Sequence, residues 1–428
     1  MTSRIPRIFS LALFVSLTSV FGFTQTAGNL DATYGTASGT SFVYVPATKP
    51  LGPARSATQA DGKTLVMVLV QPGDTISNAI VRYNPDGSVD SSFGNGGTLS
   101  FYWPSSTGMA HAYAIAVQTV GAQERIVVAG TGTGYTSSLR VDRFLPDGST
   151  DPSFGTGGTV SITAGAAEAM AIQPDGKILT VGTAGALVRL NVNGSLDASF
   201  GKGGITQNNA MNASSMSLQS DGRIVVAGYW TDVKGKVSGS AWRFNTNGSP
   251  DDGKNTDSTK GDSFGKGGQA LLDSFNAAWD VKVDASGKIL VGASVGSGNT
   301  DFAVARLTSS GQLDTTFGSG GTRSVDFSGM GDQVRTVLLQ ANGKIVLVGF
   351  TNSAGGADEG LVRLNSNGSL DTTFGSGGRE TSNLSSDGES TRDSFIQFDV
   401  ICGCEKLIVT GTVLSGGVYD AFSARYLL

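Results

Sequence analysis

The chain has 428 residues, of which 39% are hydrophobic and 62 are glycine, and its formal net charge is -5 at pH 7. This hydrophobic content can bury a large core and excludes a disordered chain, while the mild charge and the lack of a basic stripe argue against a nucleic-acid-binding protein. A glycine content far above the usual roughly 7%, without the period of collagen, indicates many tight turns between short strands.

The N-terminal segment has the layout of a secretory signal peptide. Arg4 and Arg7 precede an apolar run over residues 8–23, and small polar residues follow. Because the run is shorter than the ~20 apolar residues that a spanning helix needs, we predict cleavage rather than an anchor. We therefore assign 1–27 to the signal and 28–428 to one domain. The protein is expected to be secreted, periplasmic or cell-surface, with no membrane span after signal removal.

A twelve-residue phrase recurs along the chain, for example "NGSLDASFGKGG" at 193–204 and "NGSLDTTFGSGG" at 367–378. A degenerate copy, "GNLDATYGTASG", stands at 28–39. The complete copies span 86–97, 147–158, 193–204, 247–268, 310–321 and 367–378, and the copy at 247–268 is split by the insert "DGKNTDSTKG". A catalytic motif normally occurs once per active site, so a phrase repeated in this way indicates architecture.

Two further phrases recur in phase with the first. "AMAIQPDGKILTVG" at 169–182 places an Asp-Gly turn between two β-prone runs, which is a strong hairpin signal. "ALVRLN" at 186–191 is typical of a third strand ending in arginine, and a fourth strand begins near the Phe-Gly of the twelve-residue phrase. Four strands in roughly 45 to 65 residues make one propeller blade, and the period-2 alternation excludes a helical solenoid.

The two ends of the chain indicate a closed ring. The arginine strand occurs seven times, and the chain stops at Leu428 before the last unit has a fourth strand. The seven arginines are Arg82, Arg143, Arg189, Arg243, Arg306, Arg363 and Arg425. We predict an all-β, seven-bladed β-propeller with four-stranded blades, whose last blade combines 392–428 with about 28–50. Closure by the N-terminal strand would remove the exposed sheet edges that promote aggregation.

These serial phrases resemble the delta-60 repeat family, whose members carry "GSLDTTFGxGG"-type phrases preceded by "DGKILVVG"-type strands. The match covers essentially all of 28–428, and its blades are also similar to those of the NHL type. The resemblance implies a bacterial, exported or surface-associated propeller, of a family to which no general activity is assigned. The sequence departs from the pattern in the split copy, in the weak first copy, and in the last unit, where "CGCEKLIVTG" replaces the usual hairpin.

Each repeat contains an aspartate and, usually three places later, an aromatic residue. The aspartates are Asp31, Asp90, Asp151, Asp197, Asp251, Asp314 and Asp371, and the aromatics are Tyr34, Phe93, Phe154, Phe200, Phe264, Phe317 and Phe374. The carboxylates could bind calcium or cap their own turns, and one carboxylate per blade favours the structural role. We expect the aromatics to pack between blades and the arginines to pair with the aspartates rather than to bind an anion. No cofactor is expected, with calcium as the alternative.

The histidine and cysteine content limits the available chemistry. Zinc sites built on several imidazoles are excluded, and any Ser-His-acid triad would have to use His111, the single histidine. Cys402 and Cys404, the only cysteines, align with the hairpin turn of the last unit. They could form a local disulfide, staple the turn or bind a soft metal, and we favour a structural role.

The non-repeating loops should share one face of the propeller, opposite the short turns, and binding usually occurs on such loops. Their aromatic residues suit stacking on sugars or peptides, or else anchor the loops in the core: Tyr102, Trp103, Tyr113, Tyr229, Trp230 and Trp279. We predict a monomeric, non-catalytic propeller that binds a protein or carbohydrate. The alternative is a lyase or hydrolase that uses acids at the channel mouth, such as Asp280, Asp332 or Asp393.

Overall fold

The computed structural model describes residues 26–35, 39–44, 55–70, 77–104, 110–132, 138–254, 262–327, 331–353, 356–384, 389–399, 402–415 and 418–428. Nearly all of the predicted signal peptide therefore lies outside the described residues. Within these ranges, the chain forms no helix with the length and apolar character needed to cross a membrane.

The described strands form seven four-stranded antiparallel sheets, which we number as blades 1 to 7. Blade 1 contains β2 (Arg55–Thr58), β3 (Thr64–Val70), β4 (Ser77–Tyr83) and β5 (Thr98–Phe101), and blade 2 contains β6 (Ala112–Val120), β7 (Gln123–Thr131), β8 (Leu139–Phe144) and β9 (Thr159–Ile162). Blade 3 contains β10 (Ala169–Ile172), β11 (Ile178–Val181), β12 (Ala186–Leu190) and β13 (Ile205–Gln207), and blade 4 contains β14 (Asn212–Leu218), β15 (Ile224–Thr231), β16 (Val237–Phe244) and β17 (Gln269–Leu272).

The remaining blades follow the same plan. Blade 5 contains β18 (Ala277–Val283), β19 (Ile289–Val295), β20 (Asp301–Leu307) and β21 (Thr322–Val325), and blade 6 contains β22 (Asp332–Leu339), β23 (Ile345–Ser353), β24 (Gly356–Leu364) and β25 (Arg379–Ser382). Blade 7 contains β26 (Glu389–Asp399), β27 (Cys404–Ser415), β28 (Val418–Leu427) and β1 (Thr40–Tyr44). Among the residues that the structure describes, one 3-10 turn, Thr183–Gly185, joins β11 to β12.

The ring closes as predicted, because the N-terminal strand β1 completes blade 7. β1 pairs antiparallel with β28, with Thr40 opposite Ala424, and Leu30 forms a further bridge with Tyr426. This arrangement confirms the predicted fold class, an all-β propeller of seven four-stranded blades.

The hydrophobic core lies between the blades rather than inside one sheet. Leu65 and Met67 of β3, for example, are buried against Ile115 and Ile126 of blade 2. Neighbouring blades cover both faces of each sheet, so the second strands are apolar almost without interruption, and every residue of β3 is buried. The apolar runs of the sequence thus become the packing surfaces that hold the ring together.

The first strand of each blade lines the central channel, and five of these seven strands carry a β-bulge. In β18 the register shifts between Ala278 and Asp280, so Trp279 is the extra residue. Equivalent shifts occur in β6, β14, β22 and β26. A bulge bends the strand and redirects side chains. The bulges lie in the N-terminal half of these strands, which is the half nearer the variable loop that enters each blade.

Candidate functional site

The twelve-residue phrase and the arginine strand form one joint per blade. In blade 6, Arg363 Nε donates to Asp371 Oδ2 at 2.6 Å, and Asp371 Oδ1 accepts the hydroxyl of Thr373 at 2.8 Å. The Nε–Oδ2 distance is 2.6 to 2.9 Å in six joints, and Arg243 and Asp251 make the same contact in the remaining one. Each pair is buried and held by several hydrogen bonds, which is the arrangement that makes a buried charge pair tolerable.

The same arginines also connect neighbouring blades. Each guanidinium lies 4.4 to 4.8 Å from the centroid of the aromatic ring of its repeat, within range of a cation–π interaction. In blade 3, Arg189 Nη1 donates to the carbonyl of Thr246 at 2.6 Å, and Gly201 N donates to the carbonyl of Asn247 at 2.7 Å. Thr246 and Asn247 belong to the turn of blade 4, so the joint fixes each blade to the next.

The repeat aspartates form ion pairs with arginine and lysine side chains. Lys344 Nζ lies 2.7 Å from Asp371 Oδ2, on the oxygen that also accepts from Arg363. Burial opposes ionisation of Asp371, but hydrogen bonds from Lys344, Thr373 and Arg363 outweigh it and hold the pKa of that carboxyl well below its usual range. A carboxylate paired with two cationic side chains offers little to a metal ion, so these contacts favour the structural interpretation over calcium.

A cavity of about 200 Å³ lies at the variable-loop end of the channel, and all seven first strands contribute to it. Its charged lining residues balance: Arg55, Lys282 and Arg335 are basic, and Glu168, Asp280 and Asp393 are acidic. The remaining lining residues are Ser56, Ala114, Ile115, Ala169, Met170, Ser214, Ser215, Met216, Trp279 and Thr336. This polar, charge-balanced pocket with one large aromatic side chain is the candidate functional site.

Asp280 holds the first strands of three blades together. Its Oδ1 accepts the hydroxyl of Ser215 in blade 4 at 2.6 Å and its Oδ2 accepts the backbone N–H of Val337 in blade 6 at 2.9 Å. Lys282 Nζ lies 3.1 Å from Oδ2, and Val281 N donates to Oδ1 at 2.8 Å. With these donors in place, the carboxylate serves to position strands and has little capacity to act on a ligand.

Asp393 has a similar role across the blade 7–blade 1 boundary. Its Oδ2 accepts the backbone N–H and the hydroxyl of Ser56 at 2.7 and 3.1 Å, and its Oδ1 accepts the N–H of Ser394 at 2.9 Å. Burial raises the pKa of the Asp393 carboxyl, and Arg55 opposes that shift. The structure therefore brings two of the three predicted acids into the cavity, but both bind the scaffold.

Glu168 and Trp279 also line the cavity, but their contacts differ from those of Asp280 and Asp393. Burial raises the pKa of the Glu168 carboxyl, and Arg55 opposes the shift. The indole N–H of Trp279 is buried without a hydrogen-bond partner among the described residues, and its ring lies 4.9 Å from the Arg335 guanidinium. A buried donor without an acceptor suggests a group that is absent from the described chain. These side chains are the groups most suited to contact a ligand.

The sequence patterns do not indicate Glu168, because it stands between the predicted hairpin at 169–182 and the loop that precedes it. The signal was present in "GAAEAMAIQ", where one acidic residue stands immediately before an apolar first strand. In β10 this position corresponds to the bulged position of the other first strands, so its side chain lines the channel.

The predicted loop aromatics separate into different environments. Trp103 is 1% exposed, and its indole N–H donates to Asp142 Oδ2 at 2.6 Å, which favours the loop-anchoring interpretation over ligand contact. Tyr102 is 50% exposed and lies outside the cavity. Tyr229 and Trp230, in β15, are partly buried and do not line the cavity. Among the candidates, only Trp279 lies in the cavity, and ligand binding by the others stays a prediction.

The remaining predicted residues lie elsewhere. Asp332 does not line the cavity, because its Oδ2 accepts the backbone N–H of Phe327 in the preceding loop at 2.9 Å. His111 is also outside the cavity, and burial lowers its pKa. Cys402 and Cys404 form a disulfide across Gly403. The cavity therefore contains neither the histidine nor the cysteines of the chain.

Comparison with solved structures finds similarity at low sequence identity. The chain is similar to the PQQ-bound form of an aldose sugar dehydrogenase from Streptomyces coelicolor, with 14% identity and a TM-score of 0.42, over 72% of this chain and 92% of that chain. It is similar to a polysaccharide lyase with 11% identity and a TM-score of 0.46, over 94% of this chain and 98% of that chain. PorZ, an essential bacterial surface component of the type-IX secretion system of Porphyromonas gingivalis, shows 11% identity and a TM-score of 0.45, over 86% of this chain and 46% of that chain.

Comparison with curated proteins yields no match. A family model described as "Domain of unknown function (DUF5122) beta-propeller" matches residues 59–93, 125–154, 173–200, 219–253, 285–317 and 340–374. Each matched segment contains the arginine strand and the aspartate of one joint. Five of the six segments also contain the hairpin turn, and the segment 125–154 begins just after it. The family model thus matches six serial segments of the chain, and the structure is a closed seven-bladed ring.

Proposed function

We propose that this protein is an exported, non-catalytic propeller of the delta-60 type that binds a saccharide in the cavity at the variable-loop end of its channel. The observation that carries the proposal is that the polar side chains of that cavity differ in their hydrogen-bond partners. Asp280 and Asp393 accept hydrogen bonds from the scaffold, whereas within the described residues the Trp279 indole N–H has no acceptor and the Glu168 carboxyl has Arg55 as its nearby charge. Export is supported by the N-terminal sequence, with its basic start and apolar run.

The size and chemistry of the cavity support a saccharide rather than a protein partner. About 200 Å³ accommodates a single sugar ring or the end of a glycan, whereas a stable protein interface needs a broad surface. The three acidic and three basic lining residues cancel, so the cavity favours an uncharged ligand rich in hydroxyl groups over an ion. Trp279 supplies the aromatic surface on which sugar rings stack, and Glu168 supplies a hydrogen-bonding carboxyl.

The hydrogen bonds of the acids support binding without catalysis. A general acid or base must reach the reacting group directly or through one water, and it needs an available oxygen. Asp280 accepts from Ser215, Val281, Val337 and Lys282, so both of its oxygens are engaged. This leaves Glu168 without a second available carboxylate, and the paired acids of a glycosidase are therefore not formed in the cavity.

The test begins with the mature chain on a glycan array, followed by calorimetric titration of each saccharide that is retained. Trp279→Ala and Glu168→Gln should each weaken binding at least tenfold, because they remove the aromatic surface and the carboxylate. Tyr102→Ala is the control, since Tyr102 is an exposed aromatic outside the cavity. Loss of binding in Tyr102→Ala with unchanged affinity in Trp279→Ala would place the site on the loops instead.

The retained saccharide also distinguishes binding from catalysis. After prolonged incubation with the protein, mass spectrometry should recover it unchanged. Cleavage or elimination would contradict the non-catalytic proposal and favour the lyase or hydrolase.

A further inference from the structure

Three carboxylates converge where blade 5 meets blade 6, outside the channel cavity. Asp301 begins β20, Asp326 directly follows β21, and Asp332 begins β22. One oxygen from each lies within 4.8 Å of the other two. In the described part of the chain, Asp301 and Asp332 take part in no ion pair with Lys or Arg. Three like charges this close repel one another unless a cation or a shared proton compensates them.

Asp332 gives an independent indication that a group is absent here. The residue is 0% exposed, and while its Oδ2 accepts the N–H of Phe327, its Oδ1 has no hydrogen-bond partner among the described residues. Burial raises the pKa of this carboxyl, with Thr351 opposing the shift and the charges of Asp326 and Asp301 adding to it. A buried carboxylate oxygen without a donor is costly, and a bound cation would satisfy it.

The backbone around Asp332 is already fixed. Its N–H donates to the carbonyl of Thr300 at 2.5 Å, and its own carbonyl accepts the Thr300 hydroxyl at 2.9 Å. Asn352 Nδ2 donates to the carbonyl of Gly331 at 2.6 Å. These bonds tie the start of blade 6 to the β19–β20 loop and to β23, so the Asp332 carboxylate is held in place before any ligand arrives. Such preorganisation lowers the cost of binding.

We propose that Asp301, Asp326 and Asp332 bind one calcium ion that joins blade 5 to blade 6. Calcium takes oxygen ligands at about 2.3–2.6 Å, so any two of its ligand atoms lie within about 5 Å of each other, a limit that the three carboxylate oxygens meet. Magnesium requires near-octahedral geometry at about 2.0–2.1 Å and usually keeps several waters, so three carboxylates from separate segments suit calcium better. Water completes the coordination on the exposed side, where Asp326 lies.

This site differs from the aspartates of the twelve-residue phrase. Those aspartates accept from an arginine of the preceding strand, as Asp314 does from Arg306 at 2.8 Å. Asp301, Asp326 and Asp332 lie in non-repeating segments, and their counterparts in other blades are not three acids. The proposed ion is therefore specific to one blade junction.

The experiment measures calcium binding by calorimetry and thermal unfolding of the full chain in chelator-treated buffer, with magnesium at equal ionic strength for comparison. The wild type should bind close to one calcium ion per chain and show a saturable rise in Tm. Asp326→Asn should weaken binding at least tenfold, and since Asp326 is exposed this variant should fold normally. Asp273→Asn, which removes one exposed acid from blade 4, should bind calcium like the wild type.

Asp332→Asn provides a second measurement, in which the Tm without calcium and the effect of calcium on it are compared with the wild type. Without calcium its Tm should equal or exceed that of the wild type, because the substitution removes a buried charge that lacks compensation, and calcium should no longer raise it. Absence of binding at millimolar calcium, an equal Tm rise in Asp326→Asn, or tighter binding of magnesium than of calcium would each overturn the proposal. If Asp332→Asn does not fold, the comparison of Asp326→Asn with Asp273→Asn still tests the proposed calcium site.

Discussion

Arg425 and Asp31 lie 394 positions apart in the sequence, and Arg425 Nε donates to Asp31 Oδ2 at 2.9 Å. The same bond joins Arg189 to Asp197 at 2.8 Å over a separation of 8 positions. One pair closes the ring through the two ends of the chain, and the other lies within a single blade. The propeller therefore uses the same chemistry for ring closure as for its internal joints, and the two pairs can be compared directly.

Arg425→Ala and Arg189→Ala form a matched pair, because each removes one guanidinium and leaves its aspartate with a lysine at 3.2 Å. Each should lower the free energy of unfolding by about 3 kcal/mol, the cost of breaking a buried pair. Arg425→Ala should in addition weaken the docking of β1 and expose the edge of β28, giving concentration-dependent association. Urea unfolding and light scattering measure the two effects. Equal association of both variants would contradict the closure argument.

Gly368 and Gly377 separate backbone strain from steric contact. Both have positive φ, at 85° and 64°. A Cβ on Gly368 would lie 2.8 Å from the backbone nitrogen of Gly318 and 3.0 Å from the Phe317 ring, whereas a Cβ on Gly377 would meet nothing within 4 Å. Gly377→Ala should cost about 1–2 kcal/mol, the strain of positive φ alone.

Gly368→Ala should cost about 1–3 kcal/mol more than Gly377→Ala, because the added methyl group pushes the turn of blade 6 away from the aromatic ring of blade 5. Chemical denaturation of the two variants measures the difference. Equal destabilisation would show that the contact between the turn and the ring can open without cost.

Six of the seven repeat aspartates, all but Asp251, have a lowered pKa, and these six carboxyls make stability depend on pH. For Asp314, hydrogen bonds from Lys288 and Thr316 outweigh burial, and the pKa of its carboxyl lies well below the usual value. Burial opposes ionisation of Asp197, but hydrogen bonds from Ser199 and Lys177 and the charge of Arg189 lower its pKa as well. A folded pKa below the unfolded value of about 3.9 means that the stabilisation is complete above that value and is lost as pH falls through the folded pKa.

The free energy of unfolding should therefore change little between about pH 7 and pH 5 and fall steeply below about pH 4. Asp314→Asn should be less stable at neutral pH and should lose less stability on acidification, since one titrating group is gone. Urea unfolding at a series of pH values measures both slopes. If Asp314→Asn lost as much free energy of unfolding on acidification as the wild type, other carboxyl groups would determine the pH dependence.

Ring closure could be predicted from the sequence because turn chemistry is local. The Asp-Gly and Asn-Gly turns, the buried aromatic and the glycines are encoded in adjacent residues, so each repeat specifies its own joint. The copy at 28–39 indicated closure because it lacks the strands that precede it elsewhere. These features do not depend on contacts between distant, non-repeating residues.

The cavity could be predicted only in part, because simple alternation does not determine which first-strand side chains line the channel. The bulge at Trp279 shifts the register by one residue, and Arg335 occupies the same position in β22. Glu168 precedes its strand and was not assigned to the channel. The three-aspartate cluster was also not foreseen, because it requires the packing of blade 5 against blade 6.

Trp103 shows how a loop residue can belong to the core. Its indole N–H donates to Asp142 at 2.6 Å, and the Arg140 guanidinium lies 5.3 Å from its ring, so Trp103, which follows β5, packs onto blade 2. Trp103→Phe removes the hydrogen bond to a buried carboxylate and should lower the free energy of unfolding by about 1–3 kcal/mol. Tyr102→Phe, at an exposed neighbouring position, should change it by less than about 0.5 kcal/mol.

The same variants test which aromatic contacts a ligand. Trp103→Phe should leave the affinity for any saccharide retained on the array unchanged, because Trp103 is buried outside the cavity. Urea unfolding and calorimetric titration of each variant measure stability and affinity separately. Lower affinity at unchanged stability in Trp103→Phe would mean that the loop after β5 opens and that its ring binds the ligand.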